Sequence, residues 1–383
     1  MNRSNTATTK IIAAPDLLTV EWSDGTASEF ASVWLRDNLP EDRDSHNGQR
    51  LIDVADLPPR PRIRDAALQE AEVCVQWQDE DRTSSFSLVW LREHRISGQE
   101  SPAPVAQPWF EGATLDPRAS FAWKSLSIIK TDAQERHYWL QRLLQDGIAF
   151  LSEVPAIESG ILEAMGLMGR IAETNYGQVF DVRAVAQPEN LAYTDLGLGL
   201  HTDNPYREPV PGFQALHTLI AAPEGGDSLF ADGFALAEHL SQTAPEAYAV
   251  LTQTAVPFHY RSSTADLYAE RPLIQLTCDG AVSAVHYNNR SVAPLRLLAR
   301  ECASFYAAYR QFANLLREPR FQVIAALKPG DLVLFDNQRI LHGRTAFTSA
   351  RHPRHLRGCY LTRDSVYSAA ALLQMQFGYA EFS

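Results

Sequence analysis

The chain has 383 residues, of which 45% are hydrophobic, so it can bury a sizeable core and its composition is not that of a disordered protein. A formal charge of −12 excludes a general affinity for nucleic acids or anionic membranes, which need basic patches, but leaves room for a local basic pocket around a small anion. Four cysteines without a C-x-x-C pair, a polar start over residues 1–10 and no apolar run of about 18 residues lead us to expect a reduced, cytoplasmic protein.

The first hundred residues carry a faint internal repeat. Val20-Glu21-Trp22-Ser23-Asp24 leads to Phe30 and Trp34-Leu35-Arg36, and Val75-Gln76-Trp77-Gln78-Asp79 leads to Phe86 and Trp90-Leu91-Arg92. The two Trp-to-Trp offsets are 55 and 56 residues. Alternating residues around Asp24-Gly25 predict a hairpin, and two such units predict a small β-rich domain over residues 1–100, its tryptophans in the core. Residues 101–125 are expected to connect it to a second domain over 126–383, with the Pro-rich stretch around Ser101-Pro102-Ala103-Pro104 as the break.

Helical spacing predicts a helix over Asp132–Asp146, followed by a strand over Ile148–Leu151 and a helix over Ser159–Ala172. Strands are expected at Gly212–Ile220, Ser228–Ala231, Val256–Tyr260, Ile274–Thr277 and Leu332–Phe335, and helices at Phe234–Thr252 and Pro294–Leu316. Many short strands with few helices make an α+β chain, a double-sheet barrel covered by helices.

Chemistry concentrates at Leu200-His201-Thr202-Asp203. On a strand, residues i and i+2 share a face, so His201 and Asp203 can converge on one metal. His342, which follows the strand-like Asp331–Phe335, is the third candidate, 139 residues beyond Asp203. Two imidazoles and one carboxylate on one face of an octahedron leave three positions open, which suits Fe(II) binding a co-substrate and O2 together. Arg354, 12 residues after His342, supplies a guanidinium for the far end of a chelating dicarboxylate. A zinc hydrolase using the same three ligands, or a binding protein on the same barrel, are the rival readings.

His201-x-Asp203, Gly225-Gly226-Asp227-Ser228, Asp336-Asn337-x-Arg339-x-Leu341-His342-Gly343-Arg344 and Arg354-His355-Leu356 resemble the 2-oxoglutarate-dependent dioxygenases. The likeness is greatest to the γ-butyrobetaine hydroxylase branch of the taurine-dioxygenase-like superfamily. It covers nearly the whole chain, including Trp34-Leu35-Arg36-Asp37-Asn38. The resemblance implies a double-stranded β-helix (jelly-roll) core, His201, Asp203 and His342 as Fe(II) ligands, and Arg354, helped by Ser228, on 2-oxoglutarate. It further implies O2 as oxidant, ascorbate as reductant, and hydroxylation of an unactivated C–H bond.

Matching positions in that branch make Tyr176, Phe180, Tyr193 and Tyr360 a cage for a trimethylammonium group, whose cation is drawn to ring faces. Asn190 and Asn288 match its carboxylate contacts, and Arg290 can answer a more highly charged head group. The expected partner is therefore a small molecule: γ-butyrobetaine, hydroxylated to carnitine, or its phosphonate analogue 2-(trimethylammonio)ethylphosphonate. Asn204 and Gln178 match less closely, Gln338 stands where an aromatic is common, and a homodimer is left open. The branch often carries zinc-binding cysteines just after Trp-Leu-Arg-Asp-Asn. Here Leu39–Ser45 holds none and His46 stands alone, so no zinc is expected.

Overall fold

The computed structural model describes residues 8–78, 80–95, 105–183, 196–347 and 354–377. It divides into two compact units, one up to residue 101 and one beyond it.

The first unit is built twice from the same plan. Strands β1 (Thr8–Ala14), β2 (Leu17–Trp22) and β3 (Ala27–Ala31) form one antiparallel sheet, closed by a helix over Ser32–Asp37. Strands β4 (Ile63–Gln69), β5 (Glu72–Trp77) and β6 (Thr83–Ser87) repeat it, closed by Leu88–Glu93. The repeat read from the sequence is thus structural. Trp22 Nε1 donates to Ser28 Oγ (2.8 Å) and Trp77 Nε1 to Ser84 Oγ (3.1 Å). The copies also reach across to each other: Arg36 pairs with Glu80 (2.8 Å), Arg92 with Asp24, and the Trp34 and Trp90 rings lie 5.3 Å apart. Trp22 and Trp77 are fully buried, as core residues are. The hairpin turn stands at Asp24-Gly25, where Gly25 takes φ +80°.

The second unit places two sheets around an interior cavity. The larger contains β7 (Ala122–Ser125), β8 (Ile148–Ser152), β9 (Ile171–Ala172), β10 (Phe180–Arg183), β12 (Phe213–Ile220), β19 (Leu332–Asp336) and β21 (His355–Leu361). Its order is β10-β21-β12-β19-β8-β7, with β9 beside β21. The smaller runs β11-β20-β13-β18, from β11 (Leu198–His201), β13 (Ser228–Asp232), β18 (Val323–Ala325) and β20 (Ile340–Arg344). Two further hairpins, β14 (Val256–Arg261) with β15 (Asp266–Arg271) and β16 (Ile274–Leu276) with β17 (Val282–Val285), pack with helices Gly233–Thr243, Pro245–Gln253 and Ala299–Leu315.

Alternation along the larger sheet sets up the site. On β12, Phe213 and Ala215 point into the apolar layer under helices Ala133–Asp146 and Arg363–Phe377. Gln214 and Leu216 point the other way, into the cavity. Across the ladder Gln214 pairs with Tyr360 and with Phe335.

Local chemistry explains which elements follow their expected limits. Asp132 caps the helix Ala133–Asp146 by accepting from the amides of Gln134 and Glu135, and Gly147 at φ +76° ends it. Two expected helices are corrected. That over Ser159–Ala172 stops at Met165, because Ile171–Ala172 pairs with β21 instead. That over Phe234–Thr252 is broken at Ala244, where Pro245 starts a second helix. Helix Ala299–Leu315 begins five residues later than expected. Part of the expected connecting segment lies outside the described residues.

Candidate active site

His201, Asp203 and His342 come together, with ligand atoms all within 4.8 Å of one another. His201 ends β11 and is the register partner of His342 on β20. Their rings are 4.4 Å apart, and Asp203 lies 3.3 Å from His201 Nε2 and 3.8 Å from His342 Nε2. Strand alternation does not place Asp203, because the strand ends at His201. A clamp does. Buried Asn337, in the β19–β20 turn, accepts from the Asp203 amide (2.7 Å) and donates to the Asp203 carbonyl (3.0 Å) and to Pro211 O (3.1 Å). Asn204 then takes φ +54°, turning the chain away.

The protonation states suit a metal. Burial and the neighbouring His201 push His342 down to about 3, so it stands neutral. Burial alone would raise Asp203. The hydrogen bond from the Tyr360 hydroxyl counters that, and Asp203 is held below the usual carboxylate range. The Tyr360 hydroxyl, raised well above its usual value by burial and by Asp203, donates to Asp203 Oδ2 (2.9 Å) and accepts from Asn204 Nδ2 (3.0 Å). His201 Nδ1 bonds to Gly199 O (2.9 Å), which leaves Nε2 free to coordinate. Two imidazoles and a carboxylate, largely buried and aimed at one point, fit an Fe(II) ion.

These residues line a cavity of about 760 Å³ that includes its open mouth. Ser228, Arg344, Arg354, Tyr176, Phe180, Tyr360 and Arg290 share it. Arg354 is buried, and burial with the nearby Arg344 pushes it down to about 10. Its Nε donates to Gly226 O (3.0 Å), and among the described residues it makes no ion pair. Asp227 lies near enough to act on its charge but does not pair with it, so the guanidinium can still take the carboxylate of a small dicarboxylate at this end. The Gly-Gly segment has a reason here. A Cβ on Gly226 would lie 2.9 Å from Arg354 Cδ, and both glycines have φ above +70°.

Phe180 lies 5.1 Å from Tyr360 and 6.3 Å from Tyr176, ring to ring. Tyr260, 6.2 Å from Tyr176 and stacked at 5.1 Å on Tyr206, extends this aromatic wall. Arg290 lines the cavity, feels the charge of Asp203, and makes no ion pair or hydrogen bond among the described residues. Asn288 is not among the residues lining the cavity; its amide donates to Thr202 O (3.0 Å) and so braces the His-x-Asp turn, while its Oδ1 has no partner among the described residues. Asn190 and Tyr193 lie outside the described residues. Gln178 is exposed, while Gln338 is held by Val210 O and Arg363.

Sequence reading missed two residues that line the cavity, Gln214 and Arg344. Only Arg344 had a signal, two residues after His342 and therefore on the same face of β20. Arg339, in the same motif, is structural: it is buried, bidentate to Asp232 (3.1 and 2.7 Å), and also bonds Gln145 O and Gln107 O.

Comparison with known proteins agrees with this geometry. Residues 123–360 match the family "Taurine catabolism dioxygenase TauD, TfdA family", and residues 10–92 match "Gamma-butyrobetaine hydroxylase-like, N-terminal". The chain is 35% identical to a γ-butyrobetaine dioxygenase of Pseudomonas sp. (strain AK-1), over 93% of this chain and 94% of that one. It is 31% identical to the dioxygenase str8 of Strobilurus tenacellus, over 90% and 85%. Against a trimethyllysine dioxygenase of Meyerozyma guilliermondii the identity is 25%, over 94% of each. The chain therefore belongs to the TauD/TfdA family of iron(II)- and 2-oxoglutarate-dependent dioxygenases and carries the N-terminal domain of the γ-butyrobetaine hydroxylase-like members.

Proposed function

We propose that this dioxygenase hydroxylates an unactivated C–H bond of a small trimethylammonium substrate that ends in an anion, on a double-stranded β-helix core. The reading rests on one observation: the Tyr176, Phe180 and Tyr360 rings share a single cavity with the His201–Asp203–His342 cluster and with Arg290. Ring faces attract a quaternary cation that has no N–H to donate, by about 0.5–2 kcal/mol per contact. The names of the relatives, γ-butyrobetaine and trimethyllysine dioxygenases, point to the same substrate class.

In this reading His201, Asp203 and His342 hold Fe(II), and Arg354 binds the distal carboxylate of 2-oxoglutarate with Ser228 beside it. Bound there, iron supplies the oxidising chemistry that couples conversion of 2-oxoglutarate to succinate with C–H hydroxylation, ascorbate keeping it reduced. Tyr360 keeps its proton and steadies Asp203, and the aromatic wall excludes water from the reacting carbon. The assignment of residues 1–100 to an N-terminal domain and 126–383 to the dioxygenase domain, in a cytoplasmic enzyme, belongs to the same proposal. Among the described residues no helix is long and apolar enough to cross a membrane.

In a second, narrower reading the anion is a phosphonate, whose extra charge and third oxygen suit the Arg290 guanidinium, which lines the cavity and makes no ion pair among the described residues. The test supplies Fe(II), 2-oxoglutarate, ascorbate and O2 with γ-butyrobetaine and 2-(trimethylammonio)ethylphosphonate in competition, following succinate and hydroxylated product. Arg290→Leu is expected to raise KM for the preferred substrate by roughly 10- to 150-fold, the equivalent of a charge-assisted hydrogen bond of about 1.5–3 kcal/mol. Neglect of both substrates by the parent enzyme overturns the quaternary-ammonium reading.

A further inference from the structure

Two residues lining the cavity carry a buried polar atom with no hydrogen-bond partner among the described residues, Oε1 of Gln214 and Nδ1 of His342. They come from facing sheets, Gln214 from β12 and His342 from β20. Both adjoin Phe335: Gln214 is its partner across the β12–β19 ladder, and the His342 ring lies 4.8 Å from the Phe335 ring. The other neighbours of Gln214 on this inner face include Leu216 and Val333, so a carboxamide here is costly unless something answers it.

The two atoms are chemically complementary. His342 turns Nε2 toward Asp203, which makes Nδ1 the nitrogen that carries the proton once Nε2 coordinates a metal. An amide oxygen is the acceptor such an N–H needs. The contrast with the other histidine is plain: His201 Nδ1 already bonds Gly199 O at 2.9 Å, whereas His342 Nδ1 has no such anchor among the described residues.

We propose that Gln214 is the positioning residue for His342: its carboxamide oxygen accepts the Nδ1–H bond, directly or through one buried water, and holds the ring for coordination. The inference rests on the metal-site reading above and deepens it. Gln214 acts through His342, so its effect belongs to the metal and not to 2-oxoglutarate or the organic substrate.

The experiment titrates Fe(II) anaerobically into the parent protein and into Gln214→Leu, Gln214→Asn and Gln214→Glu, without 2-oxoglutarate, and records the Co(II) electronic spectrum of each. Gln214→Leu removes the acceptor, Gln214→Asn withdraws it by one methylene, and Gln214→Glu keeps it. Leu and Asn are expected to weaken Fe(II) binding by about 10- to 100-fold and to shift the Co(II) bands, while Glu restores the parental affinity. The affinity for 2-oxoglutarate at saturating Fe(II) is expected to stay at the parental value. Thermal melts of the metal-free variants check folding, and if Leu does not fold, Asn carries the test.

Parental Fe(II) affinity and an unchanged Co(II) spectrum in the Leu and Asn variants overturn the proposal. So does a loss confined to 2-oxoglutarate affinity, which would assign the amide to the co-substrate. A parent protein that takes no Fe(II) sinks the metal reading and this inference with it; parental binding indifferent to Gln214 sinks this inference alone.

Discussion

Gly226→Ala tests how Arg354 is held. The added Cβ would stand 2.9 Å from Arg354 Cδ and 3.1 Å from its Nε, closer than side chains tolerate, at a backbone position with φ +72°. The left-handed backbone costs an L-residue about 1–2 kcal/mol, so the folded state should lose that much in urea titration. Relief of the clash moves the guanidinium and breaks its 3.0 Å bond to Gly226 O. If the displaced guanidinium then forfeits one charge-assisted hydrogen bond to 2-oxoglutarate, about 1.5–3 kcal/mol is lost, a rise in Kd of roughly 10- to 150-fold. Isothermal titration with Fe(II)-loaded protein measures it, and Fe(II) affinity itself should not change, because Gly226 touches none of His201, Asp203 and His342. A variant that folds, loses about 1–2 kcal/mol and still binds 2-oxoglutarate as the parent does would refute the link between the Gly-Gly segment and Arg354.

Two other outcomes are expected. Burial holds His286 down at about 3, below its unfolded value near 6.5. The unfolded state therefore binds the extra proton between these values, so stability is full above about pH 6.5 and falls toward pH 3, by up to about 1.4 kcal/mol per pH unit for this group. Urea titrations of the parent and His286→Gln across that window should show a shallower slope in the variant. Elemental analysis of iron-loaded protein should show no stoichiometric zinc, and after chelation Fe(II) but not Zn(II) should restore turnover; a zinc-supported reaction without O2 would contradict the oxygenase reading.

Several features were legible because their physics is local. The hairpin at Asp24-Gly25 and the helix between Asp132 and Gly147 need only turn and cap chemistry, which a few adjacent residues carry. The repeat showed as near-equal offsets, 55 from Trp22 to Trp77 and 56 from Trp34 to Trp90, and the structure adds that Arg36 and Arg92 each reach into the other copy. His201, Asp203 and His342 were nameable as residue types, since so few side chains can bind iron.

Their geometry was another matter. The His-x-Asp spacing suggested strand alternation, but the strand stops at His201 and Asp203 is held by Asn337, 134 residues away. Asn288, read as a substrate contact, donates its amide to the Thr202 carbonyl, a bond no sequence pattern announced. Gln214 reads in the sequence as one polar residue interrupting an apolar strand. Only the pairing of β12 with β19 and β21 reveals that it lines the same cavity as His342. By itself the sequence determined the family, the metal-binding residue types and the locally encoded elements. Tertiary structure decided which polar groups are buried together, because burial and partnering are set by contacts between strands far apart in the chain.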